Sequence, residues 1–340
     1  MKAGQLPSDL LASLLERLPS HPRLILGPGI GCDAAAIDLG GGRVLVAKTD
    51  PVTFAGQQIG RYAVHVNAND VACLGARPAW FLATVLLPEQ ATPELAEAIF
   101  EDIRTTCAEL GIVPVGGHTE ITLGLDRPMI AGTMLGETTI EELVRPSGAE
   151  DGDHIVLTKG IAIEGTALLA NDAGDQLRSR GVADDVIAAA ARLLVDPGIS
   201  VVRDAETARR ATNVHALHDP TEGGLATALL ELAQASGLQV NLRREDVTVR
   251  PETAAVCAAL KLDPLGLLAS GALLIAVRPE SCDTLRRALE DEAIATSCIA
   301  DLASSRGDAI IGSWSQEIPR FERDELARFM EAMAEESTEE

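Results

Sequence analysis

The sequence predicts an α/β (α+β) protein built from two domains. Three observations carry this expectation. The chain has 340 residues, more than the roughly 250–300 over which one hydrophobic core keeps growing. Short apolar runs of strand type alternate with amphipathic helical patterns in both halves. Between the halves, Val144-Arg145-Pro146-Ser147-Gly148-Ala149-Glu150-Asp151-Gly152-Asp153 interrupts the pattern with the Pro, Gly and acidic residues of a domain boundary.

In order, residues Leu10 to Leu18 read as a short amphipathic helix, with Ser8 as N-cap and Pro19 as its end. Gly27-Pro28-Gly29-Ile30-Gly31-Cys32-Asp33-Ala34-Ala35-Ala36-Ile37 is a glycine-rich loop running into a strand. Its glycines permit positive φ and close backbone approach, which suits a ligand loop but also serves a structural turn. Val44 to Asp50 is a buried strand ending in charged and polar residues, and Pro51 should stop its pairing. Ile59 to Leu74 is a helix, and Trp80 to Leu87 a strand. Thr92 to Leu110 is an amphipathic helix with Thr92 as N-cap, Pro93 in its first turn and Gly111 closing it. Ile112 to Val115 is a short strand leading into a loop, Gly116-Gly117-His118-Thr119-Glu120, and Met129 to Leu135 is a further strand.

The second half opens with a strand, Ile155 to Thr158, and a loop from Gly160 to Gly165. Helices follow from Thr166, from Asp184 to Leu194 and from Val201 to Thr212. The strand Val214 to Leu217 precedes His218-Asp219-Pro220-Thr221-Glu222-Gly223-Gly224, which launches a helix from Leu225 to Ser236. Leu273 to Val277 and Ala309 to Gly312 are later strands, and the tail from Phe321 is helical and acidic.

Within the helix beginning at Ile59, the stretch Val66-Asn67-Ala68-Asn69-Asp70-Val71 places two carboxamides and a carboxylate in an apolar pattern. Buried polar groups must find partners, and a hydrated cation or a ligand is one such partner. A wet helix face is the other reading of the same residues.

Composition narrows the classes of function. The net charge of −23 argues against a nucleic-acid-binding surface, but carboxylates can hold a nucleotide's phosphates through Mg²⁺. Aromatics make up 2%, too few for base stacking to dominate. No apolar run reaches the ~18–20 residues of a membrane span, and the N-terminus lacks the apolar core of a signal peptide. A cytoplasmic protein without membrane partners is therefore expected. The six cysteines are scattered with no CxxC pair, so neither a zinc site nor a disulfide framework is signalled.

Five segments share small residues with carboxylates or carboxamides: those carrying Asp33, Asp50, Asn67-Asn69-Asp70, His118-Thr119-Glu120 and Asp219-Thr221-Glu222. Hard oxygen ligands of this kind suit Mg²⁺ bridging to phosphates. The pairs Gly116-Gly117 and Gly223-Gly224 would expose backbone N–H groups to phosphate oxygens, the second at a helix start. A solvated turn explains any one of these loops alone.

In combination and order, Gly31-x-Asp33-Ala34-Ala35, Thr49-Asp50, Asn69-Asp70-x-Ala72-x-x-Gly75-Ala76-x-Pro78, Gly116-Gly117-x-Thr119 and Asp219-Pro220-Thr221-x-Gly223-Gly224 resemble the AIR synthetase (PurM-like) superfamily, most nearly its hydrogenase-maturation HypE type. Asn67, and Trp80 after Gly-Ala-x-Pro, are similar to thiamine-monophosphate kinase. The resemblance implies a two-domain PurM-like architecture: an N-terminal α/β domain whose sheet pairs with that of a second subunit, and a C-terminal α/β domain. In residues this gives a helical extension over 1–26, an ATP/Mg²⁺-binding N-terminal domain over 27–146, a C-terminal domain over 147–315 and an acidic tail over 316–340. It implies a homodimer that uses ATP and Mg²⁺ to activate a small-molecule substrate by phosphoryl transfer. Asp33, Asp50, Asp70 and Asp219 would hold Mg²⁺. Gly116, Gly117 and Thr119 would line the phosphates, with Asn69, Thr221, Gly223 and Gly224 also at the nucleotide and Gly29 and Gly31 in a flap over it.

The chain departs from the HypE pattern in three places. HypE proteins carry a Pro-Arg-Ile-Cys motif whose thiol bears the carbamoyl group; here Pro319-Arg320 is followed by Phe321. Glu120 stands where HypE usually has Lys, and Glu222 where it usually has Arg. Carboxylates there would repel an anionic substrate, so an extra Mg²⁺ or a cationic or neutral substrate is expected. His118 is a candidate general base, Glu120 a catalytic partner, and Lys48 a group able to reach a phosphate. Lys159 is a second such lysine. Cys32, beside Asp33, is a candidate nucleophile or a packed small side chain.

Overall fold

Period-two burial organises the first sheet. In a computed structural model, Val44 and Val46 are fully buried while the alternate residues Leu45 and Ala47 are half-buried. The structure describes residues 6, 8–29, 31–32, 34–53, 55, 57–304 and 318–339. They form two units, an N-terminal one (19–28 and 32–143) and a C-terminal one (144 onward, with 29–31 and the start of the chain). The first helix, α1 (Ser8–Leu15), belongs to the C-terminal unit. It begins and ends earlier than the periodicity predicts.

The N-terminal unit contains β1 (Leu24–Leu26), β2 (Ala35–Gly40), β3 (Arg43–Val52), α2 (Ile59–Cys73), β4 (Arg77–Leu87), α3 (Pro93–Leu110), β5 (Val113–Ile121) and β6 (Met129–Thr139). Its sheet has the order β1-β2-β3-β6-β4-β5. Neighbours are antiparallel except β4 and β5, which run parallel. Val44, Val46, Ile130, Met134, Phe81 and Val85 are buried on the face that α2 covers. The alternate positions, including Ile37, Leu45, Trp80, Leu82, Leu86 and Leu135, are half-buried on the other face. Helix α3 packs on α2 through Ile99, Ile103, Thr106 and Cys107, at helical spacing. Gly60 allows this approach, because a Cβ there would lie 2.6 Å from Ile99 O.

Two sequence-based expectations are corrected in this unit. Pro51 does not stop the pairing of β3: Pro51 faces Ala131, and Val52 faces Ile130. The reason is that β2 pairs with β3 only as far as Ala47, so Pro51 lies where β3 has one neighbour and its missing N–H is tolerated. The segment Gly116-Gly117-His118-Thr119-Glu120 is not a loop but the middle of β5, in register with Leu82 to Leu86 of β4. Gly117 fits because a Cβ would sit 1.9 Å from Ala83 O.

The C-terminal unit contains β7 (His154–Thr158), α4 (Ile163–Asp172), α5 (Gly174–Ser179), α6 (Asp184–Arg192), α7 (Val202–Ala211), β8 (Ala216–His218), α8 (Gly224–Ser236), β9 (Leu238–Leu242), α9 (Pro251–Leu260), β10 (Leu274–Val277), α10 (Pro279–Asp291), β11 (Thr296–Ser304) and α11 (Glu325–Glu339). Its sheet, β8-β10-β7-β11-β9, is antiparallel throughout. Ile155 and Leu157 join Leu225, Leu229 and Leu232 of α8 in one core. The alternate residues of β7 face the side on which α7 and α10 pack. The strand expected at Ala309 to Gly312 lies outside the described residues. No helix among the described residues is long and apolar enough to cross a membrane.

Candidate active site

Helix α2 decides the ambiguity of the Asn67-Asn69-Asp70 stretch. Every residue of it except Arg61 is buried, so these polar groups do not form a wet face. Asn67 and Asp70 are three apart and share the helix face turned to β3, whereas Asn69 does not share it. Asn67 Nδ2 donates to Ala63 O (2.9 Å) and to Asp50 O (3.2 Å). This uses the amide's donors and orients it. Its Oδ1 is buried without a hydrogen-bond partner among the described residues. Gly132 permits the contact, since a Cβ there would lie 2.4 Å from Asn67 Nδ2. Gly136, one turn of α2 further along, admits Val71 in the same way. These two glycines, spaced four apart in a strand and so on one face, were the sequence signal for the close helix–sheet approach. The sequence reading passed over them.

Beside Asn67, the Lys48 ammonium lies 2.9 Å from Asp70 Oδ2 and 3.7 Å from Asp50 Oδ2. The Asp70 side chain is 5% exposed and that of Asp50 37%. One cation thus sits between two carboxylates. Asp33 lies outside the described residues. Gly29 and Gly31 lie between β1 and β2, Gly31 with φ +71°.

His118 and Glu120 are brought together with each other but not with Lys48. His118 Nε2 is 3.0 Å from Glu120 Oε2, and Thr122 Oγ1 donates to Glu120 Oε1. Both contacts hold the exposed Glu120 carboxyl below its usual range, the His118 bond most. β3 and β5 are three strand spacings apart in the sheet, about 14 Å. His118 and Glu120 are also in phase with Thr84 and Leu86, on the face opposite α2. Gly116, Gly117 and Thr119 line a pocket of about 650 Å³ with Phe81, Phe100 and Ile103. Its walls are mainly apolar, and Arg104 at its edge is held by Glu101.

In the C-terminal unit, Asp219 is buried just after β8, and His218 Nε2 lies 3.0 Å from Glu231 Oε2. Thr221 O accepts from Gly224 N. Gly224 begins α8 with φ +64°, and a Cβ would meet Leu265 O at 2.6 Å. The N–H of Gly223, expected to meet a phosphate, donates instead to Asp324 Oδ2 at 2.7 Å. Burial raises Asp324 to about 6, against hydrogen bonds from Gly223, Leu326 and Leu268 that lower it. Lys159 is not offered to a ligand loop. It is buried against Asp204 (3.1 Å) and donates to Ser200 O at 2.6 Å, while Thr158 Oγ1 donates to Asp204.

Residues 31–138 match the family model described as AIR synthase related protein, N-terminal domain, and residues 150–310 match the model of its C-terminal domain. The chain is 31% identical to a carbamoyl dehydratase HypE of Cupriavidus necator, over 76% of this chain and 72% of that one. It is 32% identical to a selenide, water dikinase of Paraburkholderia xenovorans, over 74% and 69%. A crystal structure of the hydrogenase maturation protein HypE in complex with ATP superposes with a TM-score of 0.67 at 25% identity, covering 96% of this chain and 98% of that one.

Proposed function

The chain belongs to the AIR synthase-related protein family, and from that premise we propose that it is an ATP- and Mg²⁺-dependent phosphoryl-transfer or activation enzyme of HypE type. The observation that carries this reading is the cation held between Asp50 and Asp70. Mg²⁺ takes hard oxygen ligands, and the donors fit: two carboxylates and the partnerless Oδ1 of Asn67. Lys48 marks the place as one that already accommodates positive charge. Asp50 and Asp70 would hold the ion. Bound there, it would supply charge neutralisation for the phosphates. Lys48, on a flexible stem, would then be available to a phosphate oxygen. Gly29, Gly31, Gly116, Gly117 and Thr119 are proposed to serve the nucleotide, and the His118–Glu120 pair the acceptor. The half-buried apolar face of the N-terminal sheet supports a homodimer, since such a face invites cover. The cysteines form no disulfide, which accords with a cytoplasmic setting.

A second reading is a small-metabolite kinase similar to thiamine-monophosphate kinase. It is favoured by Glu322, which stands where the Pro-Arg-Ile-Cys motif has its thiol, while Phe321 takes the place of Ile and packs its ring over Gly266, where a Cβ would lie 2.5 Å from it. A carbamoyl-bearing thiol has no counterpart at this position. The test is ATP turnover by the purified chain against a metabolite panel, with γ-labelled ATP and with Mg²⁺ or EDTA. Mg²⁺-dependent ADP release that requires one metabolite supports the proposal, and label on that metabolite selects the kinase. Nucleotide binding without turnover across the panel would make the chain a nucleotide-binding maturation module instead.

A further inference from the structure

In the C-terminal unit, β7, α10 and β11 bring together His154, Cys282 and Cys298. One ligand atom from each lies within 4.8 Å of the others. The sequence gives no warning, because the two cysteines are 16 residues apart and the histidine lies far upstream. The convergence is built by the fold. Cys282, Leu285 and Leu289 form the buried stripe of α10. On β11 the pairing with β7 shifts between Cys298, opposite Val156, and Ala300, opposite Ile155. This bulge inserts one residue, so that Cys298 and Asp301 both fall in phase with His154 and Val156. Without it, residues three apart would point to opposite faces.

We infer that His154, Cys282 and Cys298 form a binding site for a soft divalent cation of the Zn²⁺ class. Imidazole and thiolate are its preferred donors, and three protein ligands leave a fourth tetrahedral position for water. Bonds of ~2.3 Å to sulfur place two ligand sulfurs ~3.8 Å apart in a tetrahedron. Side-chain adjustment of about 1 Å from the 4.8 Å limit therefore suffices. The surroundings complete the site. Asp301 Oδ1 lies 3.3 Å from His154 Nε2. This contact assigns the proton to Nε2 and leaves the lone pair on Nδ1, the carboxylate–imidazole arrangement common at metal centres. Arg243 Nη2 donates to Cys298 Sγ at 3.3 Å, and Arg243 is itself paired with Asp301 at 2.6 Å. Charges balance: the arginine offsets Asp301, and two thiolates offset the metal. Metal binding forms two S–metal bonds and one N–metal bond, and it breaks the S–H bonds of Cys282 and Cys298, releasing both protons to solvent. His154 is a third exposed, which provides a path of entry.

The test uses the full, untagged, reduced and metal-stripped chain, titrated with Co²⁺ in excess Mg²⁺ so that carboxylate sites are filled. The expected result is a near-ultraviolet sulfur-to-cobalt band with tetrahedral visible bands, saturating at about one equivalent and abolished by Zn²⁺. Protons are released as the metal binds. Cys298→Ser and Cys282→Ser lose the sulfur band. Asp301→Asn weakens affinity on the order of 10-fold, as loss of an outer partner does. Because Cys282 is buried, a second readout uses the unaltered chain: Zn²⁺ protects Cys298 from iodoacetamide, mapped by mass spectrometry. Absent bands, bands that survive Cys298→Ser, or alkylation unaffected by Zn²⁺ would overturn the inference. So would a chain that forms a Cys282–Cys298 disulfide on mild oxidation while binding no Co²⁺.

Discussion

Asp70→Asn separates a ligand site from a structural ion pair. The substitution keeps the shape and removes one charge. In the folded chain that charge faces Lys48 at 2.9 Å, while Asp50 faces the same ammonium at 3.7 Å. At an effective dielectric constant of 20, these distances give gross attractions of about 6 and about 4–5 kcal/mol, the second screened further because Asp50 is 37% exposed. The loss of Asp70 removes the larger attraction, but Asp50 still faces the ammonium. The stability cost should be about 1–2 kcal/mol, below the 3–5 expected when a buried partner is left with nothing. A directly coordinating carboxylate on Mg²⁺ is a different matter. Its loss should weaken Mg-ATP binding by on the order of 100-fold, about 2.7 kcal/mol. The assay is isothermal titration with a non-hydrolysable ATP analogue and Mg²⁺, beside urea denaturation of the same preparations. An affinity within threefold of wild type, with stability reduced, would refute the reasoning and leave Asp70 as Lys48's structural partner.

Gly117→Ala should unfold or displace β5, because its Cβ would fall 1.9 Å from Ala83 O. A loss above about 3 kcal/mol is expected in denaturant titration, and an unchanged midpoint would show that the strand can slide. Asp204→Ala strands the buried Lys159 ammonium, whose proton affinity burial already lowers against the pull of Asp204. About 3–5 kcal/mol should be lost, with Lys159→Met in the same background restoring part of it. Asp324 binds its proton more tightly folded than unfolded, about 6 against 3.8. The folded state therefore holds the extra proton between those values, and this group's contribution to stability falls as pH rises from about 4 to 6. Measured at pH 4 and pH 7, Asp324→Asn should become less destabilising by roughly 2–3 kcal/mol; a constant difference would contradict the assignment. Glu120→Lys reverses charge beside His118. It should alter the Mg²⁺ dependence of ATP turnover, and an identical metal titration would remove Glu120 from the chemistry.

What the sequence showed was what neighbouring residues decide. Helix α3 has its Thr92 cap, Pro93 and Gly111 terminus where the pattern put them, with Leu95 N donating to Thr92 Oγ1 at 3.3 Å. Helix α2 was legible for the same reason, and so was the choice of Asp50 and Asp70 as residues of interest. Their shared cation was not, since Lys48 and Asp70 meet through packing of a helix on a strand. Gly116-Gly117 read as a turn because glycine pairs usually make one. Here the parallel neighbour β4 imposes extended backbone, which no local propensity announces. Lys159 looked like a loop cation, but its partner Asp204 lies 45 residues away on α7. Asp324 lies 101 residues from the N–H it holds. Contacts of that sequence separation leave no trace in periodicity.

That last separation bears on the order in which the chain can fold during synthesis. The N-terminal sheet is closed by β6, so all its strands exist once Thr139 has left the ribosome. The C-terminal unit has to wait. The Gly223 amide at the head of α8 receives its acceptor from Asp324, Asp263 N receives its own from Glu325 Oε2, and Leu326 and Phe329 are buried alongside. Helix α1, which precedes the N-terminal sheet in the chain, is grouped with this later unit. The nascent chain therefore carries one finished sheet for the time it takes to translate nearly two hundred further residues, at about 5–20 per second. Helix α1, made before that sheet, waits throughout for the unit it is grouped with.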